Sequence, residues 1–459
     1  MKTVKINIIP SRPTFVDVEF SKELDFEAIC IFVATGFFLD TDTYWKHKKV
    51  LKPAHIHTFE NNQLIHSEPY FKWHYTPRNI TFEQALDEFE DLFEQIVQEQ
   101  TKDKKVILPL SGGLDSRTLA AALKDHPSVH TYSYAFKDGY PEHKIGCEIA
   151  NFSNFSFQKF DVPKGYLWED IDELADINQC YSEFTHPRQM AFIDTYKSMG
   201  TIFSLGHWGD VLFDSMNLPQ LSIEEEVDIL LEKIVKKGGL ELANKIWSTW
   251  GLEEDFTTYF KNRIKRLLLG IEIENTNAKL RAFKSLYWAP RWTSVNLSIF
   301  EKEIPISLPY YDNRMCEFIC SLPEEYLANR KLQIAYIQRA APKLANITWH
   351  EQKPFNLNNY HLNKSPYNFP YRFTNKIFRE IRKLIRRPHI SRNWELQFLG
   401  RENDIELKKW LFESGLHELV DPSVTEKIYD SFKTVDAVNY SHPLSMLLTL
   451  ALFNQKFNR

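Results

Sequence analysis

Five cysteines in 459 residues, at positions 30, 147, 180, 316 and 320, are too scattered and odd in number for a disulfide framework. No apolar run is long enough to span a bilayer. The longest, Ile29 to Leu39, holds about 11 residues and is interrupted by Thr35 and Gly36. Neither sign of charge dominates: 56 Lys+Arg against 61 Asp+Glu leave a formal charge of -5, which gives no general pull toward nucleic acid. Repeats, low-complexity tracts and long flexible linkers are absent, and 14% aromatic residues speak against extended disorder. The start, Met1-Lys2-Thr3-Val4-Lys5-Ile6-Asn7, has no secretory apolar core, so the expected compartment is the cytoplasm with no membrane partner. What is left is an ordinary globular composition, 43% hydrophobic and 25% charged, long enough for two or three domains.

The first 75 residues read as short strands and one helix. Alternation at Val4–Ile8 and Val16–Phe20 predicts strands, and His55–Phe59, Asn61-Asn62 and Leu64-Ile65 predict a hairpin. A helix is expected from Thr81, capped by Gln84, with Phe82, Leu86, Phe89, Phe93, Ile96 and Val97 at helical spacing. Strands at Val106–Leu110, Thr131–Phe136, Ser156–Phe160 and Thr201–Leu205 then alternate with helices at Glu142–Ala150 and Arg188–Met199. That alternation predicts an α/β fold with a parallel sheet covered on both faces. Beyond residue 220 the pattern turns helical: one helix capped by Ser222 and Glu225 and running to Lys236-Lys237, then others at 253–270, 312–321, 331–344, 371–386, 404–414, 423–432 and 440–456. A small α+β unit at 1–78 and a larger domain at 79–459 are expected.

Two stretches carry chemistry. Residues 107–117 read Ile-Leu-Pro-Leu-Ser-Gly-Gly-Leu-Asp-Ser-Arg: an apolar strand, then a glycine bend, then an apolar helix. Leu110, Ser111, Gly112, Gly113 and Ser116 together form a cradle in which backbone can approach a polyphosphate, at a helix start that offers unpaired N–H groups. Asp115 adds a carboxylate suited to Mg²⁺. A P-loop would carry a lysine here, and this bend has none. The second stretch, Ser204-Leu205-Gly206-His207-Trp208-Gly209-Asp210, also follows a strand and opens a helix. Asp210 supplies a second carboxylate at another strand end, so Asp115 and Asp210 are the candidate metal ligands. Cys316 and Cys320 lie four apart with no third ligand nearby, and His55 and His57 share a strand face without partners; neither pair makes a metal site.

The bend resembles the SGGxDS loop of the ATP pyrophosphatases, and the two stretches together resemble the synthetase half of the asparagine synthetase family. That family includes the β-lactam synthetases and the lasso-peptide cyclases. The likeness covers most of residues 80–455. It extends to Leu308-Pro309-Tyr310-Tyr311-Asp312, Glu317-Phe318 and Ser321-Leu322-Pro323, and to Glu351-Gln352-Lys353-Pro354-Phe355. The resemblance implies ATP and Mg²⁺ as cofactors. It implies phosphates held by Ser111, Gly112, Gly113, Ser116 and Gly206, Mg²⁺ held by Asp115 and Asp210, and Lys353 neutralising charge on the phosphates. The activity it implies is adenylation of a small-molecule or peptide carboxylate, followed by transfer to an amine or ammonia. A partner biosynthetic protein as nitrogen source fits the same reading. An ATP pyrophosphatase acting on tRNA or a nucleotide, and an inactive nucleotide-binding scaffold, are the alternatives.

The departures are informative. His207 stands where asparagine synthetases carry Glu and β-lactam synthetases Tyr, and in this it is similar to some peptide cyclases; a histidine there suits a base that takes a proton from the attacking amine. The Glu that partners that Tyr has no counterpart at Pro305-Ile306-Ser307, which leaves Glu301 or Glu303 as substitutes. Residue 2 is Lys, and Cys30 is the single cysteine in the first hundred residues, so no glutaminase activity is expected from what resembles a shortened glutaminase unit. Arg117 is unusual beside the bend; contact with phosphate and exposure to solvent are both open for it. Arg263, Lys265 and Arg266, and Arg379, Arg382, Lys383, Arg386, Arg387 and Arg392, form basic clusters read as solvated faces rather than a nucleic-acid site.

Overall fold

The computed structural model describes residues 1–18, 22–136, 143–184, 188–384 and 397–458, without the side chains of 379 and 382–384. The N-terminal strands are β1 (Lys2–Lys5), β2 (Phe15–Asp17), β3 (Lys48–Val50), β4 (His55–Glu60) and β5 (Gln63–Pro69). β1, β4 and β5 form an antiparallel sheet, and β2 pairs with β3. Asn61 and Asn62 both take left-handed φ, 48° and 64°, as the expected two-residue hairpin turn demands. Helix α1 (Phe26–Thr35) is capped by Asp25 and buried from Ala28 to Thr35.

Helix α2 (Phe82–Thr101) starts at Thr81 with the capping box to Gln84 complete. It leads into the central strand β6 (Val106–Pro109), whose Val106, Ile107 and Leu108 are fully buried, as a strand covered on both faces must be. The chain continues through α3 (Leu114–Ala122), β7 (Val129–Phe136), α4 (His143–Phe152), β8 (Ser156–Val162), α5 (Tyr166–Asn178), α6 (Ile193–Met199), β9 (Ile202–Ser204) and α7 (Gly209–Leu212). A short strand β10 (Ile306–Ser307), absent from the sequence reading, completes a five-stranded parallel sheet in the order β10-β9-β6-β7-β8. The chain leaves β6 toward β7 and returns on the opposite side as β9. The carboxyl ends of β6 and β9 therefore flank a switch point, where a sheet of this class leaves a crevice.

The expected α/β class, the parallel sheet and the helical C-terminal half are all present. The capped helix at Ser222 runs Ile223–Ile234, short of Lys236-Lys237. Helices at Gly239–Thr249, Thr276–Phe283 and Ser294–Glu303 lie outside the expected set. Pro290 sits inside a wide π-helical stretch, Lys284–Thr293, which joins two helices without interruption. The strand expected to reach Phe20 pairs over Phe15–Asp17, and residues 19 and 20 lie outside the described residues.

The N-terminal unit shares one core with the rest. Tyr44 stacks on Phe453 at 3.7 Å between centroids, Arg291 donates to the carbonyls of Asp40 and Asp42 at 2.7 and 2.5 Å, and the Ser294 hydroxyl donates to that of Pro10 at 2.6 Å. The first basic cluster is tied into the fold: Arg263 pairs with Asp42 at 2.6 Å and Lys265 with Glu224 at 2.7 Å. Arg386, Arg387 and Arg392, and the side chains of Arg379, Arg382 and Lys383, lie outside the described set. Among the described residues no helix is long and apolar enough to cross a membrane.

Candidate active site

The two motif loops meet at the switch point. Leu110 extends the sheet, its N–H bonded to the Tyr132 carbonyl at 2.8 Å and its own carbonyl accepting from the Ser133 hydroxyl at 2.6 Å. The chain then turns through Ser111, Gly112 and Gly113 into α3. Part of the polar capacity of the two serines holds the bend itself. The Ser111 N–H donates to Ser116 Oγ at 3.2 Å, the two hydroxyls lie 3.1 Å apart, and the Gly113 N–H donates to Ser111 Oγ at 3.2 Å.

The second loop closes onto Asp115. A Cβ on Gly206 would come within 2.9 Å of the Asp115 Cβ, and one on Gly209 within 2.3 Å of its Oδ1. Only glycine at both positions allows this approach, which is why a Gly-x-x-Gly-Asp pattern stands opposite an Asp. Between them Trp208 takes a left-handed φ of 78°, sparsely populated for an aromatic residue, and its indole N–H donates to Ser285 Oγ at 3.1 Å. That turn starts α7 and sets Asp210, exposed, at the cleft wall beside Asp115.

Asp115 sits in a network that sequence reading missed. Arg330 forms an ion pair with its Oδ1, Gln333 Nε2 donates to the same oxygen at 3.2 Å and to Tyr310 Oη at 2.9 Å, and Arg330 Nε donates to Gln333 Oε1 at 2.8 Å. Asn329 and Arg330 are both left-handed, with φ of 54° and 61°, at the start of helix Lys331–Ala340. Burial raises the Asp115 carboxyl to about 6, against the attraction of Arg330 and with help from the like charge of Asp210. Two oxygen-donor carboxylates brought together suit a hard divalent cation that phosphate oxygens also ligate. Among the described residues no group of three or more His, Cys, Asp or Glu is arranged around a metal position, and Cys316 and Cys320 are buried free thiols.

The cleft has a volume of about 420 Å³. Ser111, Asp115 and Ser116 line it from one loop, Gly206, His207 and Asp210 from the other, and Trp288, Trp292 and Phe300 from the unforeseen helical stretch. His207 is half-buried on this wall with its ring edge-on to Phe300 at 6.3 Å and its Nδ1 unpartnered. Burial lowers its pKa to about 4, with Asp210 acting in the opposite sense, so the imidazole is neutral near pH 7.

Other expected residues are placed differently. Lys353 does not line the cleft. It sits in a turn closed by bonds between Trp349 and Phe355 at 2.9 Å and between Phe355 and Gln352 at 2.9 Å. The base of that turn lies on the glycine bend, where the His350 N–H donates to the Gly112 carbonyl at 3.0 Å. Glu301 and Glu303 do not reach His207; each is engaged in an ion pair, with Arg12 and Lys197 respectively. Arg117 meets neither phosphate space nor solvent. It is fully buried and donates to the carbonyls of Leu344, Ile347 and Thr348 at 3.2, 2.9 and 2.9 Å, fastening the segment that leads to the Lys353 turn. No sequence signal marks Arg330 or Gln333, which reach Asp115 across more than two hundred residues. Tyr310 does fall within the Leu308–Asp312 motif.

Residues 88–220, from α2 to just beyond α7, match the family model described as Asparagine synthase. The match contains both motif loops and supports ATP-dependent ligase-type chemistry. No curated protein matches the chain.

Proposed function

We propose that this protein is an ATP-dependent, AMP-forming carbon–nitrogen ligase that adenylates a carboxylate and passes the acyl group to an amine or ammonia. The observation that carries the reading is the approach of Gly206 and Gly209 to Asp115, which brings two carboxylate-bearing loops to one strand-end crevice. ATP is a substrate in this reading. Leu110, Ser111, Gly112, Gly113, Ser116 and Gly206 are assigned to its phosphates, and Asp115 and Asp210 to Mg²⁺. When bound, that ion would neutralise charge on the departing pyrophosphate.

The chain's own groups account for the remaining steps. Arg330, already at Asp115, adds positive charge beside the phosphate space. The aromatic wall of Trp288, Trp292 and Phe300 withdraws the reacting carboxylate from water, which protects an activated acyl group from hydrolysis. His207, neutral with a free Nδ1, is assigned the proton of the attacking amine. Lys353 is assigned the charge that builds on the phosphates, from a turn anchored on Gly112. Glutamine hydrolysis has no part: Cys30 is fully buried within α1, where burial raises its thiol pKa.

Incubation with Mg·ATP and mixed carboxylates and amines tests this. AMP and pyrophosphate that appear only with a carboxylate support the ligase. ADP and phosphate, or turnover that needs RNA, would overturn it.

A further inference from the structure

Helix Phe369–Leu384 has the segregation of a lipid-surface helix, and among the described residues its apolar side is exposed. Phe369, Phe373, Ile377 and Ile381 recur every four residues and are 64, 54, 44 and 47% exposed. At about 100° per residue they form one stripe, and Phe378, 64% exposed, widens the arc to roughly 180°, within which Thr374 and Glu380 are the exposed polar members. Arg372 and Lys376 are exposed on the other side. Tyr371 and Asn375 are half-buried, so the helix meets the body along a narrow edge.

Its base is fixed. Buried Asn368 donates to Asn363 Oδ1 at 3.1 Å, and Asn363 donates to Gln352 Oε1 at 2.7 Å, which ties the helix root to the turn carrying Lys353. In sequence, 369–392 holds eight basic residues (372, 376, 379, 382, 383, 386, 387 and 392) against the single acid Glu380. A peptide groove takes a narrow stripe of anchors, whereas this face is wide and flanked by cations, as an anionic bilayer surface requires. Such a helix lies along a bilayer rather than across it, because its apolar residues are interleaved with charge.

We infer that this helix docks the protein in the plane of a membrane rich in anionic lipid, its Phe and Ile side chains among the acyl chains and Arg372 and Lys376 at the headgroups. This revises the expectation of no membrane partner.

The test is co-sedimentation of the full chain with phosphatidylcholine vesicles, pure or containing about one third phosphatidylglycerol, without nucleotide and therefore independent of ligase activity. The wild type is expected to bind the anionic vesicles at least about tenfold more tightly, and less tightly as salt rises. Phe373→Glu with Ile377→Glu removes that binding, and Arg372→Glu with Lys376→Glu abolishes the preference for anionic lipid. Both variants keep the wild-type circular dichroism and thermal midpoint, because the four side chains are exposed. Absence of wild-type binding, equal binding to neutral and anionic vesicles, or unchanged binding by the Phe373/Ile377 variant overturns the inference. It is also overturned if those substitutions instead dissociate an oligomer or a bound protein while vesicle binding is absent.

Discussion

Gly209 and Asp115 stand so close that a single methyl group on the glycine would lie 2.3 Å from the carboxylate oxygen. The same methyl would lie 2.9 Å from the Tyr310 ring, and Arg330 holds the carboxylate from the other side. Gly209→Ala is therefore expected to push Asp115 off its position. Overpacking of this kind destabilises by about 1–3 kcal/mol. The catalytic loss is larger, about 100-fold in pyrophosphate release, because a displacement of about 1 Å at a reacting centre has that effect. Denaturant titration and a pyrophosphate assay on one preparation separate the two quantities. Near-normal turnover would mean that the contact is not needed.

Asp115 titrates near 6 rather than at the ordinary 3.8, so a proton competes with metal at mildly acid pH. Affinity for Mg·ATP is expected to fall about tenfold per pH unit below 6, and to level off above it. The sign for stability is opposite. A carboxyl with a raised folded pKa leaves the fold unaffected below 3.8 and progressively destabilises the unliganded protein as pH rises to 6. Calorimetric titration of the nucleotide between pH 5 and 8 reads the first effect. A flat profile to pH 5 would remove Asp115 from the metal site.

His207 is lowered to about 4, so its imidazole should stay neutral on titration to pH 5, visible as an unmoved ring resonance. His207→Ala is expected to leave carboxylate-dependent ATP–pyrophosphate exchange near normal and to slow amide formation by about 10²–10⁴-fold. Equal loss of both steps would make the residue structural.

Arg117 holds three backbone carbonyls with one buried guanidinium. Arg117→Met strands those acceptors and is expected to destabilise by on the order of 3 kcal/mol or more, since each unsatisfied buried group is worth about 1–3 kcal/mol. Urea unfolding measures it, and a loss below about 1 kcal/mol would contradict the clamp.

Local chemistry was legible in the sequence, and long-range chemistry was not. The bend at Ser111–Ser116, the capping boxes at Thr81/Gln84 and Ser222/Glu225 and the Asn61-Asn62 hairpin are specified by residues within a few positions of one another. The two motif loops were also readable, because a glycine bend after an apolar strand has few other uses. Arg330 and Gln333 were invisible because their role exists only once helix Lys331–Ala340 packs on α3. The cleft wall of Trp288, Trp292 and Phe300 comes from a π-helical stretch around Pro290 and the helix after it, between 270 and 312, where no helix was expected. Glu301 and Glu303 failed as partners of His207 for the same reason: adjacency in the chain does not say which way a helix turns its side chains.

The central claim is that Asp115 and Asp210 share one divalent ion. Electron paramagnetic resonance of Mn²⁺ with a non-hydrolysable ATP analogue tests it on wild type, Asp115→Asn, Asp210→Asn and the double variant. One tightly bound Mn²⁺ per chain is predicted for wild type. Each single substitution should weaken it by about tenfold or more, and the double variant should be little worse than the poorer single one, because residues acting as a unit are not additive. Wild-type Mn²⁺ affinity in Asp210→Asn, or two independent losses that simply add, would contradict a shared site.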